Sequence, residues 1–442
     1  MIKRRAILTA IAGFGIAGLA SGCLASSPSK NANSDGSAAT GAGKSKISLM
    51  YGLGPDSEPG FKADVKKFAD ANGITVEFIK AGSWDTEIRT KVQGGNPPDV
   101  GLFPQPGLMC DLAKQGKLVP YDATTVATNK ETLVPGVIEA GTCADGEVYG
   151  LPTAVSVKSV LWTDAPAFKA GGYTAPKTLD ELLTLTEKIK ADGTTPWCIA
   201  AESGAATGWP ITDWIEDLVL RFAGPEGYDK WVKGELKNDS PEIRPAWEYF
   251  EKIAFGDGNV RGGTKSIVAT PFQTGGNALF GSPPKCFLFK QATFVANKGG
   301  FPDAVIAELD TKTGPLAFPG KTEGDNPVLL GGDIAAAFNN DANTLKVRNF
   351  IASKENGTEQ QKAGGFSAHT TADVSLLPNK TLQTIASEVL YKAPVARFDG
   401  SDLMPAKVGA GSFWREPVKW LSGQQDLDEM LTNIDESYPT SR

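Results

Sequence analysis

The chain has 442 residues, 41% of them hydrophobic, and its 44 Lys and Arg against 51 Asp and Glu give a formal net charge of -7 at pH 7. No basic run or stripe interrupts that balance, which argues against nucleic acid as a partner. A single histidine, His369, and no CxxC or HExxH spacing leave a zinc site without ligands, so no metal and no cofactor is expected.

In chain order, Lys3-Arg4-Arg5 is a positive n-region, Ala6 to Leu19 a short apolar run, and Ala20-Ser21-Gly22-Cys23 places small residues before a cysteine. This is the pattern of a lipoprotein signal peptide. The apolar run is shorter than the roughly 20 residues a spanning helix needs. Residues 1–22 therefore read as a signal peptide, Cys23 as a lipid anchor, and residues 23–45, rich in Asn, Ser, Gly, Ala and Lys, as a flexible leash. A plain secretory signal with an incidental Cys23 is the alternative, and the paired arginines also permit twin-arginine export. The expected location is the extracytoplasmic face of the cell membrane. Four further cysteines, Cys110, Cys143, Cys198 and Cys286, point to disulfides in an exported chain, with three pairings formally possible.

The folded part exceeds the roughly 250 to 300 residues at which single cores stop growing, so two lobes are expected. Ile47 to Tyr51, Phe61 to Ala71, Ile74 to Ile79, Trp84 to Gln93 and Val100 to Phe103 alternate as strand, helix, strand, helix, strand. Phe61, Val65 and Phe68 place an apolar stripe on the first helix, with Lys62, Lys66 and Lys67 outward. A parallel α/β lobe follows. Its loops after the strands carry Tyr51-Gly52, Gly82-Ser83-Trp84-Asp85 and Phe103-Pro104-Gln105, at the end of the sheet where such lobes hold ligands. The extended run Val155 to Trp162 reads as a crossing into a helix-rich second lobe, with helices near Leu179 to Ala191, Pro210 to Ala223 and Pro241 to Phe255. Leu316 to Phe318 and Val328 to Phe338 read as strands, and Asn343 to Ser353 and Thr358 to Ala363 resume helical spacing. The expected division is 46–154 with 302–338 for lobe one, and 155–301 with 339–442 for lobe two.

Thr195-Pro196-Trp197-Cys198, Glu202 to Pro210 and Thr212-Asp213-Trp214-Ile215-Glu216-Asp217 resemble sugar-binding lipoproteins of ABC importers, most of all the α-glucoside binders. Asn96 to Val100, Val157 to Trp162, Ser282 to Cys286, Gly331-Gly332-Asp333 and Gly411 to Trp414 extend the resemblance over nearly all of the mature chain. It implies an α/β, two-lobed clamp of the type II periplasmic-binding-protein kind, which includes the maltose-binding proteins. A hinge would close the lobes on an oligosaccharide, an α-glucoside or α-galactoside, for delivery to an ABC permease. The expected protein is a lipid-anchored monomer and not an enzyme. With Cys110 and Cys143 assigned to lobe one and Cys198 and Cys286 to lobe two, the expected pairing is Cys110–Cys143 and Cys198–Cys286, because a bond between lobes would obstruct the hinge.

A sugar offers an apolar face and a rim of hydroxyls, so a binder needs aromatic planes and polar groups that accept and donate in pairs. The resemblance places Trp414 at the sugar-stacking tryptophan and Phe103 at an aromatic position of lobe one, with Gln105 in reach of a hydroxyl and Tyr51 on the first loop. Asp85 is a hydroxyl acceptor or a charge at a helix start. Lys158 projects between the lobes or is a solvated strand residue. Asp333, after two glycines that allow close backbone approach, is read as a sugar-binding acid. Thr207 precedes a helix aimed at the cleft, and Phe287 stands where relatives often carry tryptophan, keeping a stacking face without an N–H donor. Trp197, Trp214, Trp231 and Trp247 have core spacing. A binder of another solute, such as a peptide or a glycerol phosphate, is the alternative. A secreted glycoside hydrolase is a weaker one, since it needs two carboxylates at a set separation.

Overall fold

The apolar spacing of the first sixty residues of the folded region produces β1 (Lys46–Tyr51), α1 (Glu58–Ala71), β2 (Thr75–Lys80), α2 (Trp84–Gln93) and β3 (Val100–Phe103). β1 lies parallel to both β2 and β3. On α1, Phe61 and Val65 are buried, Lys66 and Lys67 are exposed, and Phe68 stacks on Phe350 with ring centroids 4.0 Å apart. The computed structural model describes residues 43–55 and 57–439, which fall in one compact unit, Thr40–Arg442. The expected signal peptide, the Cys23 anchor and residues 23–42 of the leash lie outside the described residues.

After α3 (Pro106–Lys114) and α4 (Ala123–Lys130), β4 (Leu151–Val157) leads through Lys158 and Ser159 into β5 (Val160–Trp162), and the chain passes from one sheet to another. Then come α5 (Ala165–Ala170), α6 (Leu179–Ala191), α7 (Trp209–Phe222), α8 (Gly224–Val232) and α9 (Arg244–Ala254). β6 (Phe289–Lys290), α10 (Asp303–Ile306), α11 (Leu309–Lys312) and β7 (Leu316–Ala317) complete this part, with β6 and β7 flanking β5 in a three-stranded sheet. Its core holds Trp197, Trp214, Trp231 and Trp247, all buried. From Pro210 to Arg221 every residue of α7 is buried, so this helix has no solvent face.

The chain then returns as β8 (Val328–Ala337), antiparallel to both β3 and β4. α12 (Ala342–Ile351), α13 (Thr358–Lys362), β9 (Phe366–Ser367), α14 (Lys380–Thr384) and β10 (Ala396–Phe398) follow. The first sheet reads β2-β1-β3-β8-β4-β9, with β10 beside β8. α15 (Gly400–Leu403), α16 (Trp414–Leu421) and α17 (Leu427–Glu436) end the described chain. The result is a mixed α/β, two-lobed clamp whose lobes are joined by crossing segments at 158–159, before β8 and after β10.

Two lobe boundaries differ from expectation. Residues from 302 to 317 sit with the second sheet, where β7 pairs with β5. α12 packs on β8 and α1, and Asp64 of α1 accepts the N–H groups of Glu359 and Gln360 at the start of α13. β9 and β10 pair within the first sheet, so the chain re-enters lobe one at Val328 and leaves it near Gly400, not at 302 and 339. Helical spacing at 343–353 signals a buried face without saying which sheet buries it. Both expected disulfides are present, Cys110–Cys143 with Cα atoms 5.4 Å apart and Cys198–Cys286 with 5.6 Å, each within one lobe.

Candidate functional site

A cleft of about 500 Å³ opens between the lobes. One wall is made by the loops at the carboxyl ends of β1, β2 and β3, with Gly52 to Pro55, Ala81, Gly82, Trp84 and Pro104. This is where open α/β sheets bind ligands. The opposite wall is aromatic: Trp209 meets Phe272 at 4.9 Å and Phe294 at 6.1 Å between ring centroids, and all three are half-buried. The Trp209 indole donates to Ser203 Oγ at 3.2 Å. Gly208, just before it, has φ 121°, a backbone state that favours glycine.

The floor is the pairing of β4 with β8. Its register shifts between Pro152 and Val155, opposite Asp333, and such irregularities turn a side chain away from its regular direction. Thr153 Oγ1 donates to the Asp333 carbonyl at 3.3 Å, and a Cβ on Gly332 would lie 2.3 Å from the Ala154 carbonyl oxygen, so only glycine lets the strands approach this closely. The Asp333 carboxyl borders the cleft. Burial alone pushes it up to about 6, with no described cation or donor to offset the cost.

Below the cleft lies a set of buried charges. Lys158 Nζ donates to Asp213 Oδ1 at 2.8 Å and to Asp399, and sits 5.4 Å from the centre of the Trp209 ring. Burial opposes the Lys158 charge, but Asp213 and Asp399, then Asp402 and Glu216, hold the ammonium well above the ordinary lysine range. Lys290 pairs with Asp217 at 3.0 Å, and Arg221 also pairs with Asp217. Glu216 accepts the N–H groups of Gly400 and Ser401. Five acids here face three cations, and burial pushes Glu216 and Asp402 well above the ordinary carboxylate range, so these two can carry the balancing protons. The Asp213, Glu216 and Asp399 carboxylates converge within 4.8 Å, and Lys158 supplies the positive charge that such a convergence requires.

Of the nine residues expected in the site, the structure brings Asp333 to the cleft and leaves the others behind or beside it. Tyr51 is buried, donates to Glu58 at 2.8 Å, and burial pushes its hydroxyl up to about 12. Phe103 is buried edge-on to Trp84 at 5.3 Å, and Gln105 is half-buried at the start of α3. Asp85 is exposed in the first turn of α2. Thr207 Oγ1 bonds within its own loop, to Gly204 and Ser203. Phe287 packs edge-on to Tyr173 in the lobe-two core. Trp414 is half-buried, and its indole donates to Ser401 Oγ at 3.2 Å. Lys158 is committed to its two acids. Trp209, Phe272 and Phe294 were not among the expected residues. Trp209 directly after Thr207-Gly208 was the available signal, whereas Phe272 sits in a turn and Phe294 in a single 3-10 turn, Thr293–Ala296, both too short to show a period.

Two lobes, three crossing segments and a cleft at the strand ends define a solute-binding clamp. Residues 54–358 match the bacterial extracellular solute-binding protein family, and the chain belongs to it. It is 36% identical over 374 residues to the osmoprotective compounds-binding protein GgtB of Synechocystis sp., covering 84% of this chain and 87% of that protein. It is also 36% identical over 384 residues to the alpha-glucosides-binding periplasmic protein AglE of Rhizobium meliloti, covering 84% and 82%. Among solved structures, the bacterial solute receptor AcbH matches with a TM-score of 0.71 at 16% identity, over 89% of this chain and 96% of that one. A chitin oligosaccharide binding protein matches at 0.69 and 19% identity, over 88% and 97%.

Proposed function

We propose that this protein captures a small carbohydrate, an α-glucoside or related α-galactoside, in the interlobe cleft and presents it uncleaved to an ABC permease. In this reading a lipid on Cys23 holds it at the extracytoplasmic face of the membrane. The observation that carries the reading is a wall of three half-buried rings, Trp209, Phe272 and Phe294, in the same cleft as a carboxyl with no partner, Asp333. Rings cover the apolar face of a sugar, and a carboxylate accepts from two hydroxyls at its rim. The cleft volume is in the range of about 300 to 1,000 Å³ usual for small-molecule sites. The names of GgtB and AglE support a sugar or another osmoprotective compound. Asp333 is the only acid among the described residues lining the cleft, which supports binding over hydrolysis by a carboxylate pair.

Thermal-shift and calorimetric titration with maltose, trehalose, sucrose and melibiose test this. Stabilisation rising as RT ln(1 + [L]/Kd) with at least one of them is expected, with micromolar or tighter binding, near -8 kcal/mol. No response to any sugar, or steady release of monosaccharide from any of them, refutes it.

A further inference from the structure

The cluster beneath the cleft joins parts of the chain that the hinge must coordinate. Lys158 lies on the first crossing, Asp213 on α7 of lobe two, and Asp399 directly after β10, where the chain leaves lobe one. Trp209 and Asp213 are four residues apart on α7 and share a helix face, so the carboxylate lies one turn below the ring. An ammonium has three donors. Those of Lys158 reach Asp213 and Asp399, and the Trp209 ring lies beside it. The stem runs against β8, where a Cβ on Gly331 would lie 2.6 Å from Lys158 Cε. Asp399 is fixed in turn by Ser401 Oγ at 2.7 Å and the Asp402 N–H at 2.9 Å, and Ser401 accepts the Trp414 indole.

We infer that Lys158 is a positioning residue: clamped between Asp213 and Asp399, it ties the Trp209 ring of lobe two to the crossing segment and so sets the aromatic wall of the cleft. The described aromatic neighbours of Trp209, Phe272 and Phe294, sit on the lobe-two wall with it. Lys158 is therefore a contact between the crossing segment and the ring. A cation over an indole face, desolvated by burial, attracts strongly enough to hold it in one orientation. The sequence expectation that Lys158 contacts solute directly is replaced here by an indirect role, which rests on the reading of the cleft as the ligand site.

The test uses the indole N–H signals of the ligand-free mature protein in 15N–1H spectra, with the Trp209 signal assigned by its loss in Trp209→Phe. Lys158→Met strands two buried carboxylates and endangers folding. Lys158→Met combined with Asp213→Asn strands one, Asp399, which keeps its Ser401 and Asp402 donors. In the double variant the Trp209 signal is expected to shift or split while those of Trp197, Trp231 and Trp247 hold. Affinity for whichever of the four sugars binds the wild type is expected to fall about tenfold. An unmoved Trp209 signal, or equal movement of all the indoles, overturns the inference. If no sugar binds the wild type, the function reading fails while the spectra still decide the role of Lys158.

Discussion

Gly208 and Trp414 touch through their backbones: a Cβ on Gly208 would lie 2.1 Å from the Trp414 carbonyl oxygen. The contact sets the last turn of chain before Trp209 against the start of α16, so the two tryptophans are neighbours with different roles. Trp209 faces the cleft with its N–H on Ser203, and Trp414 stands behind it with its N–H on Ser401.

Trp209→Ala is therefore expected to cost roughly 2 to 4 kcal/mol of ligand binding, as loss of a central aromatic anchor does. The ring is only half-buried, so the apo melting temperature should move less than the affinity. Trp414 is equally half-buried with one like hydrogen bond, to Ser401, so Trp414→Ala should lower the apo melt about as much, but Trp414 does not line the cleft and the change should weaken binding less than Trp209→Ala. Calorimetric titration and an apo melt on both variants check it. A greater binding loss at Trp414 would return the stacking role to that residue.

Asp333 gives a pH dependence with a definite sign. Its folded-state pKa, about 6, lies above the ordinary 3.8, so the proton is held more tightly in the folded chain. The resulting stabilisation is fully present below about 3.8 and is lost as pH rises through about 6. At pH 7, Asp333→Asn removes a half-buried charge with no described partner and is expected to raise the apo melting temperature. Ligand hydroxyls donate to the ionised form, so wild-type affinity should fall as pH drops through about 6, and the Asn variant should bind about 10- to 100-fold more weakly with a flat profile over that range. Titrations from pH 5 to 8 on both proteins decide it.

The first lobe was legible because its helices and strands carry their burial in their spacing. The expected run Val100 to Phe103 is β3, Trp84 to Gln93 is α2, and Phe61 to Ala71 falls within α1. The cleft was less legible, since Phe272 lies in a turn and Phe294 in a four-residue 3-10 helix, too short for a period to mark a face. Phe103, correctly read as a residue at a strand end, turns into the core against Trp84 and Phe338, because a residue's place along a strand does not say which face of the sheet it takes. Asp213, Glu216, Asp217 and Arg221 form a polar stripe on α7, and only the crossing segments packed against it reveal why a helix buried from Pro210 to Arg221 carries four ionisable side chains.

The two disulfides close loops of different span, with sequence separations of 33 and 88. If restriction of the unfolded chain dominates, removing Cys198–Cys286 as paired serines costs about 4 to 5 kcal/mol, and removing Cys110–Cys143 roughly 1 kcal/mol less. Denaturant unfolding of the two double-serine variants measures the difference. An equal or reversed order assigns the stabilisation to native contacts near the bonds.

Gly332→Ala tests whether the close pairing of β4 and β8 is what aims Asp333. The added methyl would meet the Ala154 carbonyl oxygen at 2.3 Å and the Val155 Cα at 3.2 Å, both backbone atoms that cannot rotate away. The strands must part where the register already shifts, at a cost of about 1 to 3 kcal/mol. Because Asp333 is the next residue, its carboxyl moves with the strand, and binding should weaken more than the stability loss of a distant overpacked site would cause. Gly314→Ala serves as that comparison: its methyl would meet Thr163 Oγ1 at 2.7 Å and Ala165 at 3.5 Å in lobe two, and none of these residues lines the cleft. Affinity measured on both folded variants should drop at Gly332 and hold nearer to wild type at Gly314. Equal losses would mean that the cleft senses general strain in the sheet and not the placement of Asp333.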